Sequence, residues 1–276
     1  MKWQGRAGSR NIEDRRGMRM GLPLGGGLGG ILVLLLYAAL TGTNPIDFVN
    51  TTGTPTGETG PTGVPADDQQ AQFISVVLGN TEDVWGRLFT RRGAPYEPPV
   101  LVLFSGATQS ACGLGESAMG PFYCPPDRRV YLDLSFFQEL ADRFGAPGDF
   151  ARAYVVAHEV GHHVQTLTGL SERVAAARAR QDRAGGNALS VRQELQADCY
   201  AGIWGHYAAR DGLLEAGDAE EGLRAAAAIG DDRLQQQAQG RVVPESFTHG
   251  SSAQRVEWLT RGLASGRLED CDTFSR

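Results

Sequence analysis

The stretch YVVAHEVGHHVQ, residues 154–165, constrains this chain more than any other. His158 and His162 stand four positions apart, with Glu159 directly after the first. Only a helix turns that spacing into convergence. Positions i and i+4 share a helix face, so both imidazoles can address one ion, while Glu159 leaves at an angle suited to a water on that ion. Shuffling this composition would produce such a spacing only about 0.005 times per chain, so the signal is specific. Ala153, Tyr154, Val155, Val156 and Ala157 precede the first histidine without a charge, as expected of a helix buried in a domain core.

Two imidazoles leave a zinc site short of one protein ligand if a position is to stay open for water. RQELQADCYAGIWGHY, from 192, supplies candidates: Glu194 and Asp198 are again four apart, on a helix otherwise rich in Ala, Leu, Ile and Trp. Carboxylates there are costly to bury unless paired or metal-bound. Glu194 is therefore the expected third ligand, and Asp198 the group that accepts the outer N–H of a ligand imidazole. A solvated helix face carrying two carboxylates is the plainer alternative. In FTHGSSAQRVEW, His249 is a candidate for stabilising the oxyanion, and Arg255 for orienting it or binding a carboxylate. The alternative makes Ser251 a helix N-cap, His249 a loop residue and Arg255 a surface charge. His163 and His206 read as packing or surface histidines.

The chain has 276 residues, 41% hydrophobic and 21% charged, enough for one sizeable domain. A net charge of -6 without a basic block disfavours nucleic acid. Residues 1–20 are basic through Lys2, Arg6, Arg10, Arg15, Arg16 and Arg19, and 21–40 carry no charge and end in ILVLLLYAAL. This pattern predicts a cytoplasmic N-terminus, an uncleaved transmembrane anchor over 21–40 and a translocated remainder, making a single-pass membrane protein with an extracytoplasmic domain. Thr, Gly and Pro dominate 41–66, a flexible stalk by composition. The folded domain is expected over 67–276. On the translocated side four cysteines can pair; the Gly- and Pro-rich CGLGESAMGPFYC favours Cys112 with Cys124, and elimination leaves Cys199 with Cys271.

Strands are expected at 100–104 and 129–134, and two short helices broken near Gly79 and Asn80 before them. Helices should follow over 149–168, 171–184, 190–210, 218–238 and 251–264. A small sheet followed by a helical bulk is an α+β arrangement.

HEVGHHVQ, ELQADCYAG, THGSSAQR and SACGLGESAMGPFYCPPDRRVYLDLSFF together resemble the predicted neutral zinc metallopeptidases of the YpfJ type. The likeness extends from KWQGRAGSRNIEDRRG to the late CDTF. It implies a single-pass or secreted zinc hydrolase. A looser similarity to gluzincin peptidases, with HExxH followed by ExxxD, implies a mainly helical zincin-like domain. It carries over onto His158, Glu159, His162, Glu194 and Asp198, and onto His249 and Arg255 downstream. Gly250 departs from the Pro common after that histidine.

The expectation is a zinc metallopeptidase, an endopeptidase by class. Zn²⁺ is held by His158, His162 and Glu194, a metal-activated water attacks a peptide with Glu159 as general base, and 130–134 is the strand edge that receives the substrate. The rival is a non-catalytic, zinc-stabilised binding protein of the envelope or membrane. A zinc hydrolase of a non-peptide bond is a third reading. The sequence does not specify an oligomeric state.

Overall fold

A computed structural model of the chain describes residues 1–17 and 63–275. In chain order its strands and helices are β1 (Ile12–Asp14), α1 (Gln69–Arg91), β2 (Val100–Phe104), β3 (Ala107–Ser110), β4 (Gly113–Glu116), β5 (Phe122–Cys124), β6 (Arg129–Asp133), α2 (Phe136–Asp142), α3 (Asp149–Leu167), α4 (Leu170–Arg178), α5 (Arg183–Arg210), α6 (Asp218–Ala228), α7 (Asp231–Gln239) and α8 (Ser252–Ser265). The arrangement is mainly helical with small sheets. One sheet has the order β1-β2-β6-β5, and β3 and β4 form a separate hairpin.

The two apolar strands form as their composition predicts, pairing in parallel with Val102 opposite Tyr131. Their flanks differ from expectation. Strand β6 lies between β2 and β5, so 130–134 is central and not an edge; β5, antiparallel to β6, is the outer strand on that side. Helix α1 runs unbroken through Gly79. A Cβ there would lie 3.1 Å from the Ser9 backbone nitrogen, so the glycine admits the N-terminal segment. Asn80 accepts a hydrogen bond from the Trp204 indole at 2.9 Å. The expected 218–238 helix divides into α6 and α7 at Gly230, where a Cβ would meet the Ser252 nitrogen at 2.3 Å.

The membrane topology is corrected. No helix among the described residues is long and apolar enough to cross a membrane. The anchor expected over 21–40, and stalk residues 41–62, lie outside the described residues. Both flanks of that segment argue against a single crossing. Strand β1 pairs in parallel with β2, Leu101 N–H donates to Asn11 O at 2.8 Å, and Ile12 is 1% exposed. A single crossing between β1 and α1 would put hydrogen-bonded strands on opposite faces of a bilayer. Three of the basic residues behind the positive-inside reading are also occupied. Arg16 pairs with Asp14 and Asp68, Arg15 with Glu13, and Arg6 donates to Asp211 O. The extracytoplasmic placement, which depended on that crossing, falls with it.

Both cysteine pairs are bonded, Cys112 to Cys124 and Cys199 to Cys271. The second closes a 72-residue separation and ties α5 to the C-terminal segment.

Helix packing decides where the polar side chains of α3, α5 and α8 meet, and glycines set the distances. A Cβ on Gly161 of α3 would stand 3.0 Å from Ala197 O of α5. On Gly262 of α8 it would stand 2.0 Å from Cys199 O, and on Gly202 of α5, 2.3 Å from Leu259 O. No side chain fits at either of the last two positions. Gly262→Ala is expected to lower stability by about 1–3 kcal/mol or more, as overpacking does. Gly86→Ala, in α1 with open space around it, should raise stability by about 0.4–1 kcal/mol. Thermal denaturation of the two variants reads opposite signs; equal shifts would contradict the packing.

Candidate metal centre

Helix α3 presents His158 and His162 from successive turns, and α5 presents Glu194 against them. His158 Nε2 lies 3.2 Å from His162 Nε2 and 3.1 Å from Glu194 Oε2; His162 Nε2 lies 3.4 Å from the same oxygen. Three donors each about 2.0–2.1 Å from a tetrahedral ion would be spaced roughly 3.3–3.4 Å apart. The three groups thus have the chemistry and the spacing of a two-histidine, one-carboxylate zinc site.

The outer nitrogens decide what the inner ones carry. His158 Nδ1 lies 2.8 Å from Asp198 Oδ1, and His162 Nδ1 lies 2.9 Å from Gln165 Oε1. Both partners are acceptors, so both Nδ1 atoms carry hydrogen and, in neutral rings, both Nε2 atoms offer lone pairs. Two lone pairs and a carboxylate oxygen facing one another repel unless a cation lies among them. The local charge points the same way, since Glu159, Glu194 and Asp198 face one guanidinium, Arg255, leaving two excess negative charges for a divalent ion to neutralise.

Protonation without metal follows that field. Burial opposes charge on His158, yet Asp198 and Glu194 hold its pKa up at about 10, and Glu194 raises His162 likewise. Burial would lift the Glu194 carboxyl, but His162 and His158 hold it well below the usual range. Glu159 differs: burial dominates and raises its pKa. It is 8% exposed, lines the same cleft, and accepts no hydrogen bond among the described residues.

Asp198 is fully buried. Its Oδ1 accepts from Tyr154 Oη at 2.5 Å and from Arg255 Nη2 at 2.9 Å, and its Oδ2 from Arg255 Nε at 2.9 Å. Arg255 is 3% exposed and donates also to Tyr154 Oη and Ile229 O, so it binds a carboxylate and is no surface charge. His249 is half-exposed and lines the same cleft as the three donors. Asp231 holds it there, accepting from the backbone N–H groups of Thr248, His249 and Gly250 and lying 3.3 Å from His249 Nδ1. Gly250 has φ +97°, which a proline could not adopt. Ser251 caps α8 as the plainer reading expected.

Three supporting residues escaped the sequence reading. Tyr154 stands four before His158 and Gln165 three after His162, helical spacings that were available as signals. Asp231, 18 residues before His249, carried none. His163 is fully buried and His206 bonds Leu263 O, both away from the triad.

The cleft measures about 470 Å³ and is bounded by β5, the Ser117–Met119 turn, α2, α3 and α7. Val155, Phe136, Phe144 and Leu234 give it an apolar wall.

Comparison with known proteins bears on this geometry. The profile of a family described as "Putative neutral zinc metallopeptidase" matches residues 1–274. The chain is 50% identical over 286 residues to "Uncharacterized protein YpfJ" of Escherichia coli (strain K12), covering all of this chain and 99% of that protein. It is 47% identical over 212 residues to "Uncharacterized protein Rv2575" of Mycobacterium tuberculosis (strain ATCC 25618 / H37Rv), covering 72% of this chain and 69% of that protein. No solved structure matches the chain.

The network generates a two-part expectation. Asp198→Asn should weaken zinc binding about 10–100-fold in competition with a chromogenic chelator, because His158 loses the carboxylate charge that orients its ring and raises its basicity. Arg255→Met, which removes the guanidinium paired with the buried Asp198 carboxylate, should cost about 3–5 kcal/mol in denaturant unfolding.

Proposed function

The chain belongs to the neutral zinc metallopeptidase family, and from that premise we propose that it hydrolyses peptide bonds in the cleft beside His158, His162 and Glu194, with Glu159 as general base. One observation carries the reading: three converging donors and a buried, partnerless carboxylate share a single open cleft. A zinc site serving only stability needs four protein ligands and has no use for Glu159.

Zn²⁺ held by His158 Nε2, His162 Nε2 and Glu194 Oε2 would supply Lewis acidity, acidifying a water and polarising the scissile carbonyl. The remaining tasks fall to side chains. Glu159 takes the water's proton on a carboxylate oxygen and delivers it to the leaving amine; its raised pKa suits a group that must both accept and release. His249, carrying hydrogen on both ring nitrogens with Nδ1–H turned to Asp231, donates from Nε2 to the carbonyl oxygen as negative charge develops. Asp198 and Gln165 fix the two imidazoles, and Arg255 with Tyr154 fixes Asp198. An extended peptide adds to the outer edge of β5, taking over the role first given to 130–134.

Purified protein should hold close to one zinc per chain, and His162→Ala should lose it. Glu159→Gln should keep the zinc while cleaving casein at least about 100-fold more slowly. His249→Ala should lower kcat by about 10²–10³ with little change in KM. Casein cleavage by Glu159→Gln at the parent rate would remove the general base from this scheme.

A further inference from the structure

His163, directly after the second histidine of the metal pair, is fully buried and takes no part in the scheme above. Its two ring nitrogens bridge separate elements. Nε2 lies 2.6 Å from Glu97 O, a carbonyl that can only accept, so Nε2 carries the hydrogen. Nδ1 is then the acceptor, and Tyr123 Oη, 3.0 Å away, donates to it. The rings of Tyr96 and Tyr123 close edge-on around the imidazole, with centroids at 5.9 and 5.5 Å.

Strand β5 is only three residues long, and its side chains alternate between faces. Phe122 stacks on Tyr131 at 4.8 Å, and Cys124 is bonded to Cys112, both on the face away from α3. Tyr123 alone turns inward. The hydrogen bond from Tyr123 to His163 is therefore a polar tether between the outer strand of the sheet and the helix that carries His158, Glu159 and His162. Tyr123 also lines the cleft.

We propose that His163 is a positioning residue for substrate: through Tyr123 it fixes the distance between the β5 edge and the metal helix, and so sets peptide affinity without setting metal affinity or the chemical step. The inference rests on the peptidase reading above and extends it. A peptide paired with β5 must present its scissile bond beside Glu159, and a short strand free to shift on α3 would have to be ordered by the peptide at a cost in affinity. The consecutive histidines thus divide the work, His162 facing the ion and His163 bracing the strand.

The test uses the full zinc-loaded chain and one quenched-fluorescent peptide that it cleaves, chosen from a mixed-sequence panel. Tyr123→Phe and His163→Leu should each raise KM about tenfold, with kcat within about twofold and zinc content unchanged. His163→Gln, whose amide can donate to Glu97 O and accept from Tyr123, should restore KM to within about threefold of the parent. Tyr123→Phe keeps the fold informative should His163→Leu unfold. Unchanged KM with a lowered melting temperature would overturn the inference and leave the peptidase reading intact, as would a fall in kcat accompanied by loss of zinc. A parent chain that cleaves no peptide in the panel would defeat the peptidase reading, and this inference with it.

Discussion

The carboxylate of Asp198 is the point on which the rest of the molecule turns. It accepts from Tyr154 and His158 of α3 and from two nitrogens of Arg255 of α8, while itself standing on α5. Burial alone would favour its neutral form, but the Arg255 guanidinium and His158 hold its pKa down at about 2. A buried ion pair of this kind is a poor source of net stability, because desolvation offsets most of its attraction. Its value is geometric. With both oxygens engaged by partners from two other helices, the ring of His158 has one orientation in which every group is satisfied, and in it Nε2 faces His162 and Glu194.

That joint closes only because the helices approach unusually near. Gly161 lets α3 ride against Ala197, and Gly202 with Gly262 brings α5 and α8 to backbone contact one turn from Asp198 and two turns from Arg255. The Cys199–Cys271 bond begins beside the same carboxylate and holds the C-terminal segment over α5. Packing, crosslink and charge thus specify one arrangement, in which the polar groups of three helices share a single small volume.

Much of the site was legible in the sequence because the helical period converts spacing into shared faces. His158 with His162, and Glu194 with Asp198, needed only that rule to be placed in pairs, and Tyr154 and Gln165 obeyed it as well. What escaped depended on neighbours distant in the chain. Ile12–Asp14 lies in a stretch that reads as a basic tail, yet it becomes a strand by pairing with β2, and Glu13 meets Arg129 of β6 across the sheet. Pattern identified 129–134 as a strand but could not say that β5 would cover it. Gly79 looked like a break and proved to be a contact with Ser9. The transmembrane expectation fails for a related reason: hydropathy over 21–40 does not encode that the segments on either side pair in one sheet. Asp231 binds a loop 18 residues away, which no local pattern encodes.

Two imidazole nitrogens and one carboxylate oxygen stand as the protein half of the proposed zinc coordination sphere. X-ray absorption at the zinc edge of the purified, zinc-loaded protein reads that sphere directly. A nitrogen- and oxygen-only first shell at about 2.0–2.1 Å is expected, with the outer-shell scattering of two imidazoles. A first shell containing sulfur at about 2.3 Å, or one without imidazole scattering, would contradict it.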